Sequence, residues 1–321
     1  MAIRPADHGV VASAGGGAPV LYSTTGSPTI AVYTATTALS GTGNVATSSG
    51  VNYTSVFFTG TGTITFTSVP EGRTVDILVF AGAGSGAESS TYGGGGGGGG
   101  GAISLTGQTI QTSGAYTCTI GAGGAGSSGG NGNTGTNSTV AQTSISTLTA
   151  NGGGYGSEWH FGGAGGCGGG SGQNYTAGAG SQGGDGGVGS STYPNAGGGG
   201  GGCYPLAGAA GTGTTLSHCQ GGGGGAGLQH NYCANPSGGV AGGTAKYVGP
   251  GGGGGAQTTA SYFTWGGYGG ASYSRGGKGY HSNHSTEAVA NSASGGGGMN
   301  TSGVNSAGSS GQIVFRWLTL G

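Results

Sequence analysis

The sequence predicts an all-β protein, a β-sandwich carrying a large glycine-rich insertion that forms a bundle of polyglycine II-type helices. Three observations predict it. Short segments rich in β-branched and aromatic residues recur through the first 150 residues, and some alternate strictly. Glycine supplies 92 of the 321 residues, yet only 11 of those 92 fall in residues 1–80, so the glycine tracts begin near Ala81. After those tracts the chain closes on an apolar segment, QIVFRWL at 312–318, which needs a sheet to pair with.

In chain order, Val20-Leu21-Tyr22, Thr29-Ile30-Ala31-Val32-Tyr33 and Val56-Phe57-Phe58 have strand composition. Thr63-Ile64-Thr65-Phe66-Thr67 alternates as a half-buried strand should. Pro70-Glu71-Gly72 reads as a turn before the more deeply buried 74–80. Strand-like stretches at 116–120 and 144–149 interrupt the early glycine tracts. The expected organisation is an N-terminal β segment over 1–50, suited to attachment, a sandwich built by 51–150 with 311–321, and a glycine-rich bundle with aromatic loops over 151–310.

Free glycine linkers are flexible coils. Here Tyr, Trp, Phe and Cys are scattered through the tracts and a closing strand follows them, which favours order. A collagen phase is broken by runs such as 93–101, and only eight prolines are present. The remaining ordered form is a left-handed helix of three residues per turn with no internal hydrogen bonds, in which 93–101 would span roughly 28 Å. Its N–H and C=O groups must then bond neighbouring helices, which only a residue without Cβ lets approach on every side.

Lys, Arg, Asp and Glu make up 4% of the chain, against about 25% in ordinary domains. A net charge of −1 with six basic residues argues against a nucleic-acid or membrane-surface binder. No apolar run approaches the ~20 residues of a membrane span, and residues 1–11 lack the hydrophobic stretch of a secretory signal. The seven acids are widely separated, so no catalytic carboxylate pair is suggested and the expectation is a non-enzyme without cofactors. Glu158 beside Trp159 and His160 is the one combination with catalytic character, and it reads better as part of a binding loop. Cys167, Cys203, Cys219 and Cys233 with His218 and His230 lie in one region, and His230-x-x-Cys233 has a plausible local spacing. Cys203 and Cys219 fit no zinc frame, however, and the adjacent His218 and Cys219 are hard to place on one metal, so no metal is expected.

The candidate binding residues are the aromatics of the late loops: Trp159, His160 and Phe161 in YGSEWHF, Tyr204, and Tyr262, Phe263, Trp265, Tyr268, Tyr273 and Tyr280 in the densest stretch. Such side chains give rigid contact area at low entropy cost and suit the apolar faces of sugar rings. Their alternative role is to wedge between glycine helices as packing.

The order of signals resembles the glycine-rich domain of bacteriophage tail and fibre proteins. The residues that carry it are VDILVFAGAGSGA (75–87), GGGGGAISL (97–105), YTCTIGAGGAG (116–126), LTANGGG (148–154) and GQIVFRW (311–317), and it spans about 55–321. A weaker similarity links the alternation of glycine runs and aromatic loops to the distal tail-fibre adhesins of T-even-like phages. The resemblance implies a virion tail-fibre or receptor-binding protein, assembled in the host cytoplasm, that recognises a host surface glycan or protein. Its implied partners are other tail or fibre proteins and its own copies, a trimer being favoured, with no nucleic acid or membrane. A purely structural fibre is the alternative, and a depolymerase is disfavoured by the scattered acids.

Overall fold

The computed structural model describes residues 18–34, 50–89, 92–126, 128–191, 195–203, 212–215, 218–230, 246–249, 251–255, 264–265, 292–298 and 307–319. The strands before the long insertion are β1 (Leu21–Thr25), β2 (Thr29–Thr34), β3 (Asn52–Phe58), β4 (Gly62–Ser68), β5 (Val75–Phe80), β6 (Ala102–Gln108), β7 (Ala115–Thr119), β8 (Ser138–Gln142) and β9 (Ile145–Ala150). Short strands β10 (Thr212–Thr215), β11 (His218–Gln220), β12 (Leu228–His230), β13 (Lys246–Val248) and β14 (Thr264–Trp265) lie inside it, and β15 (Gln312–Leu318) follows it. No helix occurs among the described residues.

Two antiparallel five-stranded sheets, ordered β1-β4-β7-β8-β9 and β2-β3-β15-β5-β6, pack face to face. The first sheet contributes Tyr22, Ile64, Phe66, Tyr116, Cys118 and Val140 to the shared core. The second contributes Val56, Phe58, Ile77, Val79, Ile313, Phe315 and Trp317. Phe66 sits at the centre of an aromatic cluster, with ring centroids 5.9 Å from Tyr116, 6.0 Å from Phe315 and 5.8 Å from Trp317. Both sheets also take an edge strand from the segment set apart as 1–50, because β1 and β2 present their own alternating apolar residues to these cores.

Why some strands alternate and others are continuously apolar follows from what covers each sheet. In β4, Ile64 and Phe66 are buried while Thr63 and Thr65 on the outer face are part-exposed. In the second sheet the intervening residues Phe57, Leu78, Phe80 and Val314 are buried too, against Cys167, Cys203, Leu228 and Ala293 from the insertion. Covering both faces removes any advantage of a polar residue, hence VDILVF and QIVF. Polar residues on that outer face include Arg316. It is almost fully buried, pairs with Asp76 across the ladder at 2.5 Å, and lies 4.5 Å over the Tyr53 ring.

Beyond the strand ends the chain runs as extended tracts that hydrogen-bond sideways. Tract 81–87, leaving β5, lies antiparallel to 93–101, which enters β6: Ala81, Gly84 and Ala87 donate to Gly101, Gly98 and Gly95, a step of three each time. The same step governs what 93–101 donates. Gly95, Gly98 and Gly101 donate to Ser157, Gly154 and Asn151; Gly96 and Gly99 to Gly198 and Gly201; Gly97 and Gly100 to Gly296 and Ala293. Its carbonyls at Gly96 and Gly97 accept from Gly170 and Gly252, and all these bonds measure 2.8–3.0 Å. Tract 93–101 is therefore surrounded by 81–87, 151–157, 167–170, 198–201, 252–255 and 293–296. The register also defines two ends. Ala81, Gly101, Asn151 and Ala293 lie beside the strands, whereas Ala87, Gly95, Ser157 and Gly255 lie away from them.

Packing this close leaves no room for side chains along the central tract. A Cβ on Gly97 would lie 2.2 Å from Gly84 O, and one on Gly100 would lie 2.0 Å from Ala81 O. Those oxygens belong to backbone held by its own bonds and cannot move aside alone. Gly97→Ala is expected to lower stability by about 3 kcal/mol or more in denaturant unfolding. Gly60→Ala, in the β3–β4 turn where a Cβ meets nothing within 4 Å, is expected to change it by less than about 0.5 kcal/mol.

Candidate functional site

The turns at the end away from the strands collect the exposed aromatic side chains. Ser157 ends one tract, with its N–H bonded to Gly170 O and its C=O accepting from Gly95. Its buried hydroxyl then clamps the next turn, accepting the His160 N–H at 2.8 Å and donating to His160 O at 2.5 Å. The Glu158 N–H donates to Asn131 Oδ1 at 2.9 Å, tying this turn to the neighbouring one. Ser171 acts similarly: its hydroxyl donates to Tyr175 O at 2.6 Å and accepts the Gly189 N–H at 3.1 Å. The Tyr92 N–H donates to the Ser89 hydroxyl at 2.8 Å.

These clamps bring two pairs of rings together. Tyr92 and Trp159 meet edge to face with centroids 4.6 Å apart, and Phe161 meets Tyr175 at 5.9 Å and 69°. His160 lies 5.9 Å from Tyr175. Trp159 is 40% exposed, Phe161 61% and Tyr175 39%, and these three are the large exposed aromatics among the described residues. Their exposure distinguishes them from the buried rings of the sandwich core, which pack against one another.

Of the residues expected from the sequence, Trp159, His160 and Phe161 lie together here. Tyr204, Tyr262, Phe263, Tyr268, Tyr273 and Tyr280 lie outside the described residues. Trp265 is placed by its backbone alone, in β14 opposite Gln220 of β11. Gln220 is two residues from Gly222, which bonds Gly197, which in turn bonds Gly255, so the Trp265 backbone belongs to this same end. Tyr92 and Tyr175 were missed by the sequence reading. Their signal was position: Tyr92 directly precedes the run starting at Gly93, and Tyr175 sits in the gap between Gly172 and Gly178.

Other surfaces offer less chemistry. An open groove of about 430 Å³ on the flank, lined by Asn137, Asn151, Ser181 and small residues, holds no titratable side chain. Asp76 is engaged by Arg316, and Asp185 accepts the Gly180 N–H at 2.7 Å. No group of three or more His, Cys, Asp or Glu placed to hold a metal occurs among the described residues. The side chains of His218, Cys219, His230 and Cys233 lie outside them. No helix among the described residues is long and apolar enough to cross a membrane.

Cys118, Cys167 and Cys203 are buried thiols. Cys118 lies in the sandwich core, and its thiol is pushed up to about 12 by burial. Burial raises Cys203 to about 12 as well, partly opposed by the Leu228 N–H donating to its sulfur at 3.2 Å. Burial also raises Cys167 well above its ordinary value, assisted by the proximity of Cys203.

The sequence profile of the Glycine-rich domain family matches residues 59–318. The chain belongs to that family. No curated protein matches the sequence significantly.

The thiol environments give an alkaline prediction. The folded state holds the Cys118 and Cys203 protons from the ordinary value of 9.0 up to about 12, whereas the unfolded chain releases them near 9.0. Stability should therefore be unaffected by these groups below pH 9 and fall as pH rises beyond it. At pH 8 the three buried thiols should resist a maleimide reagent for hours and react fully in denaturant; mass spectrometry of labelled peptides reads both states.

Proposed function

We propose that this protein is a tail-fibre or other receptor-binding component of a phage particle, with its glycine tracts forming a polyglycine II-type bundle. The sideways hydrogen bonds at three-residue steps, with 93–101 surrounded by other tracts, support the helix type. The order of strand and glycine elements, which resembles phage tail and fibre proteins, supports the virion assignment. One observation carries the binding role: aromatic side chains are held exposed by hydroxyl clamps at the end of the tract array farthest from the sandwich. Fixed rings lose little freedom on contact, and even weak single-site binding multiplies over the copies on a particle.

In this reading Trp159, His160 and Phe161, with the late-loop aromatics Tyr204, Tyr262, Phe263, Trp265, Tyr268, Tyr273 and Tyr280, contact the host. The sandwich and residues 1–50 face the other tail or fibre proteins, and the chain assembles as a homo-oligomer, a trimer being favoured. A purely structural fibre would instead bury this apolar patch between subunits.

The test is to add fluorescently labelled protein to a panel of bacterial strains and to localise the protein on virions by gold-labelled antibody. Saturable decoration of particular strains, with label at fibre tips, is the expected result. Label on the particle with no decoration of any strain would move the assignment to a structural fibre.

A further inference from the structure

We infer that the exposed tip formed by Trp159, Phe161 and Tyr175 takes a neutral saccharide chain, read across at least two adjacent sugar rings. This rests on the receptor-binding reading above and names the chemistry of the ligand.

The first argument is the form of the surface. Sugar rings carry C–H groups on one or both faces and hydroxyls around the rim, so they bind flat apolar rings bordered by small polar groups. Here the ring pairs Tyr92–Trp159 and Phe161–Tyr175 supply two platforms. Trp159 and Phe161 are separated by one residue, so their Cα atoms lie at most about 7.6 Å apart, twice the spacing across a trans peptide. That separation suits neighbouring units of one chain better than two independent ligands. The exposed neighbours His160, Asn174 and Thr176 can all donate or accept hydrogen bonds to hydroxyls.

The second argument is charge. The described turns at this end contain no Lys or Arg; their ionisable side chains are His160 and the acids Glu88 and Glu158. A phosphorylated or carboxylated polymer would meet the part-exposed Glu158 carboxylate with no Lys or Arg among the described turns to offset it, which is unfavourable. A neutral polymer meets no such penalty, and the Glu158 carboxylate can accept from its hydroxyls.

The third argument is rigidity. The Ser157 and Ser171 clamps hold the turns that carry Trp159, Phe161 and Tyr175, so binding does not have to order them first.

The experiment uses strains decorated by the full-length protein. Cells are treated either with periodate, which cleaves vicinal diols of sugars, or with a broad protease, and decoration is measured again. The polysaccharide released from the same cells by mild acid is then tested as a competitor. Variants Trp159→Ala and Phe161→Ala are compared with wild type, with the thermal midpoint as a fold check. Both side chains are substantially exposed, so their removal should leave the fold intact.

The expected result is loss of decoration after periodate, retention after protease, competition by the released polysaccharide, and at least tenfold weaker binding by each variant. Loss after protease but not periodate would overturn the saccharide inference in favour of a protein receptor while leaving the receptor-binding reading standing. Unchanged binding by both folded variants would overturn this tip as the site. Decoration of no strain would remove the receptor-binding reading itself, and this inference with it.

Discussion

Lateral hydrogen bonding between backbones that nearly touch is the constraint on which the rest of the molecule depends. The N–H groups of 95–101 find their acceptors on other tracts, never along their own. Each such bond contributes only about 1 kcal/mol net, against the 1–2 kcal/mol needed to order a residue's backbone, and glycine lies at the costly end. A lone tract would therefore be a coil. Order requires that tracts be satisfied from several sides at once, which is the arrangement around 93–101. It also requires residues without Cβ, since the neighbouring carbonyl oxygens occupy the positions where Cβ atoms would stand on Gly97 and Gly100.

The sandwich supplies what the tracts lack, a hydrophobic core and fixed starting points. β5 runs into 81–87, 93–101 runs into β6, β9 runs into 151–157, and the chain returns through β15. Because β15 lies between β3 and β5 rather than at an edge, the second sheet is complete only when the chain beyond the insertion has come back. The insertion returns the support by covering the outer face of that sheet with Cys167, Cys203, Leu228 and Ala293. Sheet and tract array are two parts of one packed unit.

Chemistry is pushed to the ends of the tracts by the same constraint. Side chains larger than Ala have little place along the central tract, so large groups gather at turns or in the sandwich. Tyr22, Phe66, Tyr116, Phe315 and Trp317 fill the core, while Trp159, Phe161 and Tyr175 emerge at the tip. Ser157 and Ser171, with small side chains that fit at tract ends, act as local caps that fix the turns. The proposed receptor-binding role draws on this division between a side-chain-free interior and side-chain-rich turns.

Much of the sandwich was legible in the sequence. Thr63-Ile64-Thr65-Phe66-Thr67 declares its buried face by alternation, and QIVFRWL by its length and apolarity marks a strand in need of partners. The Trp159–Phe161 cluster stood out because aromatics are few and conspicuous among glycines. β8 escaped notice since STVAQ, next to Asn and Thr, carries a weak pattern of its own. What the sequence by itself determined was thus the strands with a side-chain pattern and the presence of tracts that only glycine could build. The tertiary structure alone decided which tract lies beside which, that the second sheet is covered on both faces, and that Tyr92 and Tyr175 join Trp159 and Phe161. The reason is physical: a run of glycines has no side chains to distinguish one neighbour from another, so its partners are set by the strands and turns at its ends.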